Sequence, residues 1–220
     1  MMSKDEVIMA IYVALGEHFG PRGWWPGESR FEIIVGAILT QAVAWRNVEK
    51  ALQGLKEAQL FSAAEILAAS GEELALAIQP ALYNRQKAMK LAGMMFFIQS
   101  QYKGDYDLMF SEPQEVLRRK LLALWGIGEE TADSILLYAG KYPVFVVDSY
   151  TRRIFSRIGL VAENIDYTGM QIFMQDNIAQ DVGLYNEYHA LLVALGSQYC
   201  KKTRPSCLGC PIAYYCKKIL

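Results

Sequence analysis

Residues 124–133 read LWGIGEETAD, and this stretch decides the fold. An apolar helical pattern leads into Gly126-Ile127-Gly128, and a second helical pattern begins directly afterwards. Two glycines permit a tight turn with unusual backbone angles and let the backbone approach a ligand closely. The backbone amides at the start of the second helix favour an anion such as a phosphate. A G-x-G turn alone is more often an ordinary connection between helices, so its meaning depends on the rest of the chain.

The rest of the chain has the same helical character. Apolar residues recur at helical spacing almost throughout, and Gly, Pro and Asn separate segments of about 10–16 residues. Residues 31–39 (FEIIVGAIL) are apolar on nearly every side, which predicts a central helix surrounded by others. Residues 143–147 (PVFVV) are the one candidate strand, and they are too short and isolated to build a sheet. The sequence predicts an all-α fold.

Composition narrows the class of protein. A chain of 220 residues with 53% hydrophobic residues is long enough for one large or two small domains with a real core. No apolar run approaches the roughly 18–20 residues that span a membrane. Residues 1–19 have the pattern of an amphipathic helix rather than of a signal peptide. We therefore expect an intracellular protein without a membrane partner.

Charge and cysteines are concentrated at the end of the sequence. The net charge of −1 gives no overall basic balance, but the last twenty residues contain five basic residues and no acidic one. All four cysteines lie in the last 21 residues, with the spacing C-x6-C-x2-C-x5-C: Cys200, Cys207, Cys210 and Cys216. Such clustering in an intracellular protein favours a metal site over disulfides. Four thiolates suit either zinc or a [4Fe–4S] cluster, and spacing alone does not separate the two.

Asp148 is the candidate catalytic carboxylate. It lies twenty residues after Gly128, directly after Val147 and just before a helical pattern that contains Arg152. An aspartate in this place is also well explained as an N-cap, because its side chain can accept from the open amides of the helix. Both interpretations can hold for the same residue.

These features together resemble the helix-hairpin-helix DNA glycosylase superfamily, and the cysteine spacing resembles the iron–sulfur loop of the endonuclease III family. The resemblance implies a six-helix domain at 21–133, with the hairpin motif at about 113–139. Residues 1–20 and 134–220 would form a helical iron–sulfur domain, with the DNA site between the two. It further implies a [4Fe–4S] cluster on the four cysteines and a catalytic Asp148. Gly126, Gly128 and Arg152 would contact DNA.

Glu130 departs from endonuclease III. In the bifunctional enzymes of that family, a lysine at the matching position attacks the sugar and forms a Schiff base. A carboxylate cannot form an imine, and Lys120 and Lys141 flank the motif about one helix away. The sequence therefore predicts a monofunctional glycosylase with little or no lyase activity. Water would attack the anomeric carbon while Asp148 stabilises the positive transition state and orients or deprotonates the water.

The tryptophans indicate the damaged base. Trp24-Trp25-Pro26 precedes the central helix, and Gln41 and Trp45 follow it, an arrangement that resembles the endonuclease III-type 3-methyladenine DNA glycosylases. By this resemblance Trp24, Trp25, Trp45 and Glu130 would belong to the base pocket, although tryptophan at a helix end more often serves packing. Gln41 would fill the gap left by the extruded nucleotide, and Asn84 would lie near the DNA backbone. Some members of that group lack the cysteine cluster.

The expected partner is double-stranded DNA that contains damaged bases. We expect the protein to be a monomer in the cytoplasm of a prokaryotic-type cell, associated with the nucleoid. Two alternatives to an alkylated purine stay open. The first is an endonuclease III-like glycosylase for oxidised pyrimidines or mismatched bases. The second is a non-catalytic iron–sulfur protein that binds damage, which has little reason to keep Asp148 beside an intact hairpin. The two histidines, His18 and His189, receive no role.

Overall fold

The structure is a computed structural model that describes residues 2–218, and within them it contains helices and loops but no β-strand. The predicted all-α fold is thereby confirmed. No helix in this range is long and apolar enough to cross a membrane. The helices are α1 (Lys4–Phe19), α2 (Arg30–Leu39), α3 (Trp45–Glu57), α4 (Ala63–Ala68), α5 (Gly71–Ala77), α6 (Asn84–Tyr102), α7 (Tyr106–Met109), α8 (Gln114–Leu122), α9 (Glu129–Ser134), α10 (Ser149–Ile158), α11 (Tyr167–Asn177) and α12 (Val182–Gln198). A short 3₁₀ helix, Gln79–Ala81, precedes α6, and a π-helical segment, Ile135–Ala139, continues α9.

The chain divides into two compact units. Unit 1 comprises Met1–Trp25 and Pro143–Leu220, and unit 2 comprises Pro26–Tyr142. Both boundaries lie later than the expected 20/21 and 133/134. The second one does so because α9 runs on without a break through its π-helical segment to Ala139. Unit 2 contains eight α-helices rather than six, and four of them, α4, α5, α7 and α9, have only four to seven residues.

Helix α2 forms the centre of unit 2, as its sequence predicts. Every residue from Phe31 to Leu39 is buried, and the helix packs on α3, α6 and α9 with its continuation. Its start is fixed by Ser29, whose side chain accepts from the Glu32 amide. Burial on all sides holds the C-terminal end of α2, and the loop that follows it, in one place.

Unit 1 joins the two ends of the sequence. Helix α12 packs on both α1 and α10, and the buried Tyr188 hydroxyl donates to the Ile8 carbonyl at 2.8 Å. Gly196 lets α12 approach α10 closely, because a Cβ there would lie 2.2 Å from Cδ1 of Tyr150. The close approach of these two helices sets the surroundings of Asp148, the N-cap of α10.

The candidate strand, residues 143–147, is an extended buried segment without strand partners among the described residues. Side chains of α11 satisfy its backbone instead. The Phe145 amide donates to Oε1 of Gln175 at 3.0 Å, and Nε2 of Gln171 donates to the Phe145 carbonyl at 2.7 Å. The Val147 amide donates to the Tyr167 hydroxyl at 3.4 Å. These bonds anchor the chain just before Asp148.

Candidate functional site

The hairpin connects α8 to α9 through residues 123–128. Gly126 has a φ of +78°, in the left-handed region that favours glycine. A side chain at Gly126 would also meet its neighbour, because a Cβ there would lie 2.3 Å from Cε of Lys90. Gly128 is the N-cap of α9 and is exposed, as is Gly126. The predicted tight turn with accessible backbone is therefore present, and the positive φ favours glycine at 126, where a side chain would also displace Lys90.

Gln41 and the hairpin are joined by a hydrogen-bond network within unit 2. Nε2 of Gln41 donates to the Gly126 carbonyl at 3.0 Å and to Oγ1 of Thr131 at 2.9 Å. Nζ of Lys90 donates to Oε1 of Gln41 at 2.5 Å and lies 5.9 Å from the centroid of the Trp125 ring, which is 61% exposed. The structure thus brings Gln41 and Gly126 together, and it adds Lys90, which sequence reasoning missed.

A buried lysine supports the loop that carries Gln41. Lys87 is 2% exposed, and its Nζ donates to the carbonyls of Leu39 at 2.8 Å and Ala81 at 2.6 Å. Burial and the neighbouring Lys90 ammonium lower the pKa of Lys87 to about 8. One ammonium therefore ties the end of α2, before Gln41, to the 3₁₀ helix that precedes Leu82.

Leu82 and Tyr83 form an exposed apolar tip that sequence reasoning also missed. Both have a positive φ, of 53° and 47°, and they are 53% and 66% exposed. Bulky residues adopt left-handed backbone rarely and at a cost, and such strain is concentrated at functional sites. The available signal was two large apolar side chains between Pro80 and the start of a helix, but the sequence does not display their backbone angles.

An ion pair holds the two hairpin helices together. Asp133 on α9 is fully buried and accepts from Nε of Arg118 on α8 at 2.7 Å and from its Nη2 at 3.0 Å. Arg118 also lies 3.9 Å from Glu129. Because this bidentate geometry fixes both helices, it also fixes the turn between them.

Asp148 is the N-cap of α10 and is 8% exposed. Its Oδ1 accepts from the Thr151 amide at 2.7 Å and from the Thr151 hydroxyl at 2.8 Å. Its Oδ2 lies 3.7 Å from Nε2 of His189 on α12. The structure therefore gives Asp148 the capping geometry, and it leaves the second oxygen facing a histidine to which the sequence assigned no role.

The predicted base-pocket residues lie in both units. Trp24 and Trp25 are half-buried in unit 1, with ring centroids 5.2 Å apart. Trp45 begins α3 in unit 2, is half-buried, and donates from Nε1 to Oε1 of Glu49 at 3.0 Å. Glu130 is exposed in the first turn of α9.

The two remaining predicted DNA contacts differ in their surroundings. Arg152 is exposed on α10, four residues after Asp148. Asn84 is half-buried at the start of α6, and its Nδ2 donates to the Ala75 carbonyl at 2.8 Å. The donor group of Asn84 thus serves the packing of α5 against α6.

All four cysteines line one cavity in unit 1, whose empty volume is about 440 Å³ including its open mouth. Burial raises the pKa of the Cys210 thiol, and the neighbouring thiolates of the other three cysteines raise it further. Nη1 of Arg157 lies 3.5 Å from Sγ of Cys200, and the Lys218 amide donates to Sγ of Cys216 at 3.3 Å. Within residues 2–218, no group of three or more His, Cys, Asp or Glu side chains is arranged so that it could hold a metal ion.

Comparison with known proteins identifies the fold. A family model described as HhH-GPD superfamily base excision DNA repair protein matches residues 35–180. A protein of Methanocaldococcus jannaschii whose name is that of a DNA repair glycosylase is 40% identical over 215 residues, which cover 97% of each chain. A non-covalent endonuclease III–DNA complex superposes with a TM-score of 0.84 at 21% identity, covering 99% of this chain and 97% of that one.

A further solved structure is the 3-methyladenine DNA glycosylase of H. pylori bound to 1,N6-ethenoadenine. Its TM-score is 0.78 at 27% identity, covering 90% of this chain and 98% of that one. The predicted helix-hairpin-helix glycosylase fold is confirmed by these similarities.

Proposed function

We propose a function for this chain from the family to which it belongs, the HhH-GPD superfamily of base excision DNA repair proteins. It would be a monofunctional DNA glycosylase for alkylated purines such as 3-methyladenine. Membership makes the protein a DNA glycosylase of base excision repair. One combination of features supports the finer proposal. Asp148 is buried and oriented by Thr151, and Glu130 occupies the hairpin position where a lyase needs an amine.

Asp148 would act on the sugar of an extruded nucleotide. Breaking the bond to the base leaves positive charge on the sugar, and a fixed carboxylate stabilises that charge without reorganising during the reaction. The same carboxylate can orient or deprotonate the attacking water. Its hydrogen bonds from Thr151 support both roles, because they fix the carboxylate plane at one oxygen.

An alkylated purine suits a site whose proposed catalytic group is a single carboxylate, Asp148. 3-Methyladenine carries a positive charge in DNA and is already a good leaving group, so the enzyme needs stacking and a carboxylate more than a strong general acid. Tryptophan faces bind cations well, and Trp24, Trp25 and Trp45 are the side chains that we propose for this task. The 27% identity to a 3-methyladenine glycosylase over most of both chains supports the same base.

DNA would be held mainly through unit 2. The exposed backbone at Gly126 and Gly128 suits a phosphate, and the exposed Arg152 of unit 1 supplies a positive side chain. The apolar tip of Leu82 suits insertion into a base step, in the way that apolar wedges separate stacked bases. Gln41 would enter the space of the extruded nucleotide, which requires that it leave its bonds to Gly126 and Thr131.

We also propose a [4Fe–4S] cluster on Cys200, Cys207, Cys210 and Cys216. Support comes from the four thiols that line one cavity, because four cysteine thiolates are the ligand set of such a cluster. Arg157 and the Lys218 amide would donate to ligand sulfurs. When bound, the cluster supplies a rigid cross-link for a loop that carries Lys201, Lys202 and Arg204.

The second candidate function is an endonuclease III-like glycosylase for oxidised pyrimidines or mismatched bases. The observation that favours it is the fold similarity to endonuclease III over nearly the whole of both chains. A non-catalytic damage binder is less consistent with the burial and orientation of Asp148.

Single-turnover assays on defined duplexes test the proposed function. Purified protein is incubated with DNA that contains 3-methyladenine, an oxidised pyrimidine, a T:G mismatch or an abasic site. We expect release of 3-methyladenine and no covalent adduct on borohydride treatment, with a bifunctional endonuclease III as the positive control for trapping. Faster release of the pyrimidine or the mismatched base would establish the second candidate. A trapped adduct would overturn the monofunctional proposal, and no release from any duplex would favour the damage binder.

Metal analysis of anaerobically purified protein tests the cluster. We expect about four iron and four sulfide per chain, with broad visible absorption that reduction bleaches. Cys210→Ser should lower the iron content, whereas Ser206→Ala, a substitution in the same loop, should not. One zinc per chain in place of iron would refute the cluster.

A further inference from the structure

We infer that His189 is a positioning residue for Asp148: its imidazole faces the second carboxylate oxygen and holds it in place. The inference deepens the proposed function and rests on it, since it concerns how the carboxylate is presented to the reacting sugar. Nothing in the sequence pattern around His189 indicated this role.

The two oxygens of Asp148 have different partners. Oδ1 is occupied by the amide and hydroxyl of Thr151, at 2.7 and 2.8 Å. Oδ2 lies 3.7 Å from Nε2 of His189, and both side chains are 10% exposed. That separation exceeds a direct hydrogen bond, and a small side-chain rotation would close it. An N–H at Nε2 aimed at Oδ2 would fix the carboxylate from the side that Thr151 leaves open.

The position of His189 is set by the packing of two helices rather than by local sequence. His189 lies on α12 and Asp148 caps α10, and the close approach of these helices depends on Gly196 against Tyr150. The Tyr188 hydroxyl, on the neighbouring residue, is bonded to the Ile8 carbonyl of α1. The contacts of α12 with α1 and α10 therefore fix the helix that carries His189.

The charge state of His189 matters because its neighbour is the carboxylate. Burial lowers the pKa of His189, and the Asp148 carboxylate raises it in part. Burial therefore favours the neutral form of the ring. An imidazolium would offset the carboxylate charge and oppose a cationic transition state.

Substitutions at position 189 separate positioning from packing. We expect His189→Leu to lower the single-turnover rate at pH 7 by about tenfold or more, in the range typical of lost outer-shell partners, with little change in the DNA dissociation constant. Glutamine keeps an N–H near the place of Nε2 but cannot take up a proton. His189→Gln should therefore retain most of the rate at pH 7 and keep it at acidic pH, where the wild-type rate falls. His18→Gln, at the exposed histidine that contacts the Tyr199 hydroxyl, is the matched control and should follow wild type.

An NMR titration tests the pair without any enzyme assay. The chain has only two histidines, so the two imidazole signals can be assigned with the His18→Gln variant. The pKa of His189 should be lower in Asp148→Asn than in wild type, because the carboxylate that raises it is gone.

The outcomes distinguish this inference from the proposed function. If no duplex is processed but the His189 titration responds to Asp148→Asn, the pair exists and the proposed function has failed. If DNA is processed while both His189 variants match wild type across the pH range, the positioning role is overturned. A His189 titration that is unchanged in Asp148→Asn would also overturn it.

Discussion

Replacing Asp148 by asparagine is expected to lower the rate of base release by at least about 1000-fold, close to the loss seen when a preorganised charged or polar group is removed from a transition state. The variant keeps the shape of the side chain and removes its negative charge. Asparagine is as good an N-cap as aspartate, so the oxygen that accepts from the Thr151 amide is retained. Thermal unfolding should therefore change little, and the rate loss should come from the chemistry.

The matched control is Asp166→Asn. Asp166 is the N-cap of α11 and accepts from the Gly169 amide at 2.7 Å, so the same substitution is made at an equivalent helix position. Its single-turnover rate should stay within about twofold of wild type. A loss below tenfold in Asp148→Asn, with base release still saturating, would show that another group carries the reaction.

Asp133→Leu is expected to lower the free energy of unfolding by about 3–5 kcal/mol, the usual result of removing one partner from a buried ion pair. Asp133 is fully buried and accepts two hydrogen bonds from Arg118, so the substitution removes the carboxylate that takes both of them. Arg118→Met should be similarly destabilising, because it leaves a buried carboxylate. The double variant should recover much of the loss, since neither charge then stays uncompensated.

Denaturant unfolding of the three variants measures this coupling. The control is Asp107→Asn, which removes the exposed ion pair between Arg30 and Asp107 and should cost less than about 1 kcal/mol. Strictly additive losses in the Asp133 and Arg118 variants would show that the two residues do not act as a pair. Partial unfolding of the hairpin alone would appear as weaker DNA binding before global unfolding.

The features that follow from local sequence were predictable. The apolar run 31–39 specified the central helix, because a helix without a polar side can be stable only when other helices surround it. Gly126 and Gly128 specified a tight turn, and Asp148 specified a helix start. Each of these depends on residues that are neighbours in the chain.

The features that follow from long-range contacts were not predictable. Lys87 and Lys90 resemble ordinary solvated lysines on α6, and only the fold reveals that one reaches two buried carbonyls and the other reaches Gln41. His189 and Asp148 are forty-one positions apart along the chain, and they lie close together because α12 packs against α10. Residues 143–147 resemble a strand because extended, buried backbone has the same side-chain pattern whether a sheet or the glutamines of α11 satisfy it.

In the sequence, unit 2 lies between the two parts of unit 1, and this order has a consequence for synthesis on the ribosome. Unit 2 is one continuous stretch, so it can fold as soon as it leaves the exit tunnel. Helix α1 is made first, yet its partner α12 is made more than 160 residues later. We expect α1 to remain without its partner helix α12 for most of translation. The nascent chain would therefore complete the hairpin of unit 2 well before His189 is available to face Asp148.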